Sequence, residues 1–215
     1  MVDKDSICGR DNEREEILSQ LKQTHGNENV SIISIVGLGG LGKTTLAQLV
    51  YNNEDDLKGY FYPKIWVYVS QDFNAGRIVR ASIESMSQIK SELENLDVLA
   101  KQLATELTGK RFLLVLDDIW NENQEDWEKL KVVFNSGISG SKIIATTRSM
   151  KVSQVMKSTS IFVLEGLSEQ TSWTLFKQNA FSGSDRGLNS QILEIAKEIV
   201  KKCGGVPLAL KVLRV

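Results

Sequence analysis

Cysteine and histidine are nearly missing from this 215-residue chain, which holds only Cys8, Cys203 and His25 of those types. Two thiols cannot staple a small secreted fold. One imidazole, in a polar turn beside Gly26-Asn27, leaves neither a histidine zinc centre nor a Ser-His-Asp relay. An excess of charge of one sign is missing too. Lys plus Arg number 26 against 27 Asp plus Glu, a formal net charge of −1, so no overall field draws the chain to nucleic acid or to an anionic membrane. The longest apolar runs, near Ile32–Val36 and Phe112–Leu116, are far shorter than a bilayer span. Met1-Val2-Asp3-Lys4-Asp5 lacks the apolar core of a signal peptide. These absences point to a reducing, cytoplasmic setting, with no transmembrane segment and no nucleic-acid partner.

What is present is ordinary for a globular chain: 41% apolar and 25% charged residues, with no internal repeat. Short apolar runs alternate with amphipathic stretches, the pattern of a parallel sheet flanked by helices. Asn12 followed by Glu15 reads as a capping box opening a helix with Ile17, Leu18 and Leu21 on its inner face. Strands are expected at Ser31–Val36, Lys64–Ser70, Arg111–Asp117, Lys142–Thr146 and Ile161–Leu164. Helices are expected from Lys43 (Leu46, Leu49, Val50), around Ile78–Ile89, and through Leu96, Leu99, Ala100, Leu103 and Leu107. After Leu164 only helical spacing remains: Trp173, Leu175 and Phe176, then Leu188, Ile192, Ile195, Ala196, Ile199, Val200 and Cys203. A boundary near Glu165-Gly166 divides an α/β unit, 1–165, from a partial helical unit, 166–215. The chain stops at Val215 inside a helical pattern, Ala209–Val215, which is expected of a piece cut from a longer protein.

Gly37-Leu38-Gly39-Gly40-Leu41-Gly42-Lys43-Thr44 fits G-x-x-x-x-G-K-[ST] between an apolar strand and a helix. The glycines let successive N–H groups converge on phosphate oxygens, Lys43 adds a point charge, and the Thr44 hydroxyl reaches Mg²⁺. The helix dipole faces the same anion. The segment also satisfies the dinucleotide fingerprint G-x-G-x-x-G. That reading wants an acid at the end of the next strand, where Val69-Ser70-Gln71 stand before Asp72, and it leaves Lys43-Thr44 unexplained. The P-loop reading is preferred.

Phe112–Leu116 runs into Asp117-Asp118, so a buried strand delivers Asp117 to the phosphate end of the sheet, where it can hold Mg²⁺ through water. Asp118 either polarises an attacking water as general base or caps the turn toward Trp120. Ile143–Thr147 leads to Arg148, which can approach the γ-phosphate and report a third phosphate, or can be a solvated arginine. Trp66, Trp120, Trp127 and Trp173 read as packing residues rather than base-stacking ones.

Together these segments resemble the NB-ARC domain of plant nucleotide-binding leucine-rich-repeat immune receptors, which is similar to that of apoptotic-protease activating factors. Six segments carry the resemblance in the family's order: Gly9-Arg10-Asp11-Asn12-Glu13, Gly37–Thr45, Phe61–Phe73, Lys110–Trp120, Ser141–Arg148, and Leu164–Phe181 with Gly205-Val206-Pro207-Leu208. The resemblance implies a signalling ATPase that rests with ADP, exchanges it for ATP on activation, and oligomerises. It implies that Ile7, Cys8 and Arg10 line the adenine and ribose side and that Pro207 and Leu208 close over the nucleotide. The loop Gly37, Gly39, Gly40, Leu41, Gly42, Lys43, Thr44 and Thr45 would hold the phosphates, and Thr44 with Asp117 would hold Mg²⁺. Trp120 after Asp117-Asp118 is the form found in coiled-coil rather than TIR receptors. Leu38, Tyr68 and Val206 depart from the family's frequent methionine, cysteine and leucine. Protein partners would act through coiled-coil and leucine-rich-repeat domains absent from this chain, which by itself is expected to be monomeric and at most a slow ATPase. A dedicated motor is the rival reading, against which no transporter L-S-G-G-Q segment is found. A nucleotide-free scaffold is disfavoured by intact Lys43, Thr44 and Asp117.

Overall fold

The computed structural model describes residues 8–24, 28–69, 73–181 and 189–213. Ile7, His25, Ser70, Leu188 and the final two residues lie outside that set. Helix α1 (Asp11–Lys22) leads into β1 (Val30–Val36), α2 (Lys43–Tyr51), α3 (Glu54–Leu57) and β2 (Lys64–Tyr68). There follow α4 (Ala75–Ser87), α5 (Leu96–Leu107), β3 (Leu113–Ile119), α6 (Gln124–Phe134), β4 (Ser141–Thr147), α7 (Met150–Val155) and β5 (Ser160–Val163). Then come α8 (Glu169–Ala180), α9 (Ser190–Lys202) and α10 (Pro207–Val212). All strand pairs are parallel, in the order β2-β3-β4-β1-β5. This is the α/β fold expected from the alternation of short runs and amphipathic stretches.

The central strands are apolar on both faces because both faces are covered. Ile32, Leu114, Leu116, Ile143 and Ala145 join a core with α4, α5 and α6. Their neighbours Ile33, Ile35, Leu113, Val115 and Ile144 point the other way, into α1 and α2. A separate apolar cluster, Leu175, Phe176, Ala196, Val200 and Leu210, holds α8, α9 and α10 together. Among the described residues no helix is long and apolar enough to cross a membrane.

Several local expectations need correction. Asn12 does not cap α1: the helix starts at Asp11, and its N-cap is Arg10 in the left-handed region, φ 107°. Long-range contacts of the Arg10 side chain override the local signal, and Glu15 turns to Arg14 at 2.9 Å rather than back to the cap. The helix expected at Ile78–Ile89 starts at Ala75, because the Asn74 side chain accepts the Arg77 N–H, and ends where Gln88 turns left-handed. Strand β3 runs past Asp117 to Ile119. Helices α3, α6 and α7 were not anticipated.

One buried charge stands out at the amino-terminal end of β4. Lys142 is wholly buried, and its Nζ donates to the Gln23 carbonyl at the end of α1 and to Ser31 Oγ at 2.7 Å. Burial pushes its pKa down to about 8.

Candidate functional site: a phosphate-loop cleft

The carboxyl ends of β1 and β4 feed, respectively, the glycine loop and Arg148, while β3 ends beside them with the acidic pair. A cleft of about 330 Å³ opens there. Its floor is Gly39 to Thr45, with Asp118 and Arg148 on one side and Cys8, Arg10, Pro207 and Leu208 on the other. The residues singled out from the sequence are thus brought together, with three exceptions. Ile7 lies outside the described residues. Gly37 is beneath the cleft, its N–H bonded to Thr147 O at 3.2 Å. Asp117 is also beneath it, only 4% exposed.

The loop is shaped for an anion. Gly40 turns with φ 80°, and a Cβ there would lie 3.0 Å from Leu208 Cβ and 3.1 Å from Val206 Cγ1. Only glycine permits both the turn and that approach. Helix α2 then begins with no side chain capping its first turn, so its free N–H groups and its dipole are available to a phosphate. Lys43 is buried, and its Nζ donates to the Gly37 and Leu38 carbonyls at 2.8 and 3.0 Å. Its pKa is lowered, first by burial and then by the nearby Arg148 charge, against the opposite pull of Asp118 and Asp117. An anion in the cleft offsets both depressing causes.

The acidic pair divides its tasks. Asp117 Oδ1 accepts hydrogen bonds from Thr44 Oγ1 at 2.9 Å and from Thr146 Oγ1 at 2.6 Å. Asp118 has φ 62° and faces the cleft, with its Oδ1 4.0 Å from Arg148 Nε. The Arg148 guanidinium stacks 4.7 Å from the Trp120 ring, and its Nη1 would sit 3.1 Å from a Cβ on Gly39. Arg148 therefore lies against the loop, steered by a tryptophan that does not itself line the cleft. Trp127 is core, while Trp66 and Trp173 pack on Tyr51 and Phe176.

The donor set fits Mg²⁺ with a nucleotide phosphate. Hard oxygens of Thr44 and Asp117 sit side by side, and Mg²⁺ takes one or two carboxylates plus phosphate and water. Among the described residues no cluster of three or more His, Cys, Asp or Glu could hold a metal unaided.

The remaining wall is assembled across the chain. The Arg10 guanidinium donates to Leu41 O at 3.3 Å, to Glu165 O, and to Glu13 Oε1 at 2.7 Å. Leu208 N–H donates to Gly40 O at 3.2 Å, and Leu167 N–H to Gly205 O at 2.8 Å. Sequence reasoning missed Gly9, Leu46, Leu49, Tyr68, Leu167, Leu175 and Lys211 in the lining. Leu46, Leu49 and Leu175 had the spacing of core positions, and nothing local distinguishes an apolar residue facing a cleft from one facing a core.

Comparison with known proteins agrees with this geometry. The NB-ARC domain profile matches residues 10–186. Disease resistance protein RGA2 of Solanum bulbocastanum is 43% identical over 210 residues, covering 96% of this chain and 21% of that protein. Disease resistance protein RPP13 of Arabidopsis thaliana is 36% identical over 219 residues, covering 99% and 26%. This chain thus spans about a fifth to a quarter of such relatives. Among solved structures, the Aeropyrum pernix ORC2 protein in ADPNP-ADP complexes superposes with TM-score 0.64 at 18% identity, covering 97% of this chain and 62% of that one. The CDC6P structure from Pyrobaculum aerophilum gives 0.67 at 15%, covering 97% and 63%. At such identities the likeness is one of fold. With the profile, the close relatives and the loop geometry in agreement, the chain belongs to the NB-ARC domain family, a nucleotide-binding module built on a P-loop NTPase fold.

Proposed function

We propose that this chain is the ADP/ATP-binding switch module of an intracellular plant disease-resistance receptor, ADP-bound at rest, exchanging to ATP on activation, and reset by slow hydrolysis. The observation that carries the nucleotide reading is the pairing of Thr44 Oγ1 with Asp117 Oδ1 at 2.9 Å beneath the glycine loop. The receptor reading rests on relatives named as disease resistance proteins.

In this reading the loop N–H groups and Lys43 hold the α- and β-phosphates whichever nucleotide is present. A bound Mg²⁺ would supply charge neutralisation to the phosphates. Thr44 and Asp117 would hold it. Arg148, braced by Trp120, meets the third phosphate, and its engagement there loosens its 4.0 Å contact with Asp118. Asp118 is then free to orient a water. Cys8, Arg10, Pro207 and Leu208 enclose the base and ribose, with Ile7 assigned to the same side from the family resemblance. The α/β unit, 1–165, and the helical unit, 166–215, act as two bodies that share this ligand. Fast turnover needs water excluded and the γ-phosphate clamped in line. Turnover is therefore slower than about one per minute, a barrier above ~20 kcal/mol. Signalling partners act through coiled-coil and leucine-rich-repeat domains outside this chain, which is monomeric and cytoplasmic on its own.

The test is to denature the purified protein and identify the nucleotide released by ion exchange; ADP is expected. Asp117→Ala should retain nucleotide but lose the difference between titrations with Mg²⁺ and with EDTA. A protein that is empty and also fails to bind added ADP with Mg²⁺ sinks the reading.

A further inference from the structure

We infer that Thr146 is the positioning residue of the metal side of this site, holding the Asp117 carboxylate and the turned Asp118 backbone with one hydroxyl. The inference rests on the nucleotide–Mg²⁺ reading above and adds to it a residue that touches neither ligand.

Strand order places β4 between β3, which carries the acids, and β1, which feeds the glycine loop. Along β3 and β4, Leu116 pairs with Ala145 and Ile119 with Thr147. Two residues of β3, Asp117 and Asp118, therefore oppose the single residue Thr146, which makes a bulge. A bulge leaves a backbone N–H without its ladder partner. Here that N–H belongs to Asp118, and Thr146 Oγ1 accepts it at 2.8 Å. The same oxygen donates its proton to Asp117 Oδ1 at 2.6 Å, in the short range of a hydroxyl on an ionised carboxylate. A hydroxyl has one proton, so both of its directions are now fixed. Asp118, though not glycine, sits at φ 62°, a conformation that persists only when its surroundings impose it.

Thr44 is the other partner of Asp117, but its hydroxyl faces the cleft and must turn a lone pair to the metal when one binds. Thr146 is wholly buried and keeps its bond in either state. It is thus the constant element that aims one carboxylate at the metal and turns the next residue into the cleft. Neighbouring Thr147 is equally buried but serves elsewhere: its Oγ1 donates to Ile119 O at 2.8 Å and accepts Ser149 N–H at 3.1 Å.

The experiment compares ADP affinity in Mg²⁺ and in EDTA for the wild type, Thr146→Val, Thr146→Ala, Thr146→Ser and Thr147→Val, with thermal melting to verify folding. Loss of a partner behind a metal ligand typically weakens metal affinity by about 10–100-fold. The Mg²⁺ concentration giving half the affinity gain should rise at least about tenfold in Thr146→Val and Thr146→Ala. Affinity in EDTA should stay within about twofold of wild type, since the loop and Lys43 are untouched. Thr146→Ser, which keeps the hydroxyl, and Thr147→Val should titrate with Mg²⁺ as the wild type does. A wild-type Mg²⁺ midpoint in both Thr146→Val and Thr146→Ala overturns the role. So does an equal shift in Thr147→Val, which marks the effect as general loosening of β4. A wild-type chain that binds ADP equally with and without Mg²⁺ overturns the metal reading itself, a failure seen before any variant is made.

Discussion

The two walls of the cleft are built in opposite ways. The phosphate wall comes from strand ends locked into the sheet: Gly37, Lys43, Asp117 and Thr146 all make bonds at the carboxyl ends of β1, β3 and β4. The other wall comes from segments more than a hundred residues apart, joined by a few reaching contacts such as Arg10 to Glu165 O and Leu208 N–H to Gly40 O. Redundant short bonds within one core suit a surface that must keep one shape for every phosphate. A few bonds between elements with separate cores leave a surface that can open at lower cost than the sheet.

The largest test of that contrast is Gly205→Ala. Gly205 has φ 72°, and a Cβ there would lie 2.5 Å from Leu167 O and 2.7 Å from Leu167 N. Left-handed strain plus backbone overlap should cost about 2–4 kcal/mol. Hydrogen exchange should show that loss in α8, α9 and α10, with β1, β3 and β4 still protected. Equal loss in both regions breaks the comparison.

Lys43→Ala should do the converse. It removes a charge-assisted phosphate contact worth roughly 1.5–3 kcal/mol in nucleotide titrations and leaves the melting temperature near wild type. Arg10→Lys comes next, because lysine has no fork to hold the Glu13 carboxylate with one nitrogen and the Leu41 and Glu165 carbonyls with another. We expect about 1–2 kcal/mol less stability by denaturant titration and faster nucleotide release. Unchanged release means that Arg10 anchors only α1.

Lys142→Met sharpens the comparison from the far end of the sheet and should have the smallest effect at pH 7, within about 1 kcal/mol, since relief of a buried charge offsets two lost hydrogen bonds. The pH dependence has a definite sign. The folded pKa, about 8, lies below the ordinary 10.5, so the folded state favours the neutral amine. Below pH 8 the burial penalty is fully present, and it is relieved as pH rises toward 10.5, by about 3 kcal/mol in all. Urea titrations at pH 7.5 and 9.5 should show the wild type gaining on Lys142→Met; parallel curves refute the assignment.

What was legible in the sequence follows the same division. The phosphate wall was readable because its chemistry lies in short contiguous segments, Gly37–Thr45 and Asp117-Asp118, each at the end of an apolar run. The role of Thr146 was not, since nothing in Thr146-Thr147 says which hydroxyl meets a bulge on the neighbouring strand. Arg10 as a helix N-cap was unreadable for a related reason: its guanidinium is held by carbonyls 31 and 155 residues away. Helix α6 does carry a local signal, Asn123 as cap before Trp127, Leu130 and Phe134 at helical spacing. Helix α7, with six residues, is too short to show a period.

The hydrogen bond from Leu208 N–H to Gly40 O makes a single peptide unit common property of the loop and of α10. Gly40 can accept that bond only while Leu208 sits close enough to forbid any larger residue there. Parting α10 from the loop breaks that bond and leaves the Gly40 carbonyl without its partner, so loop and helix keep their places together or lose them together.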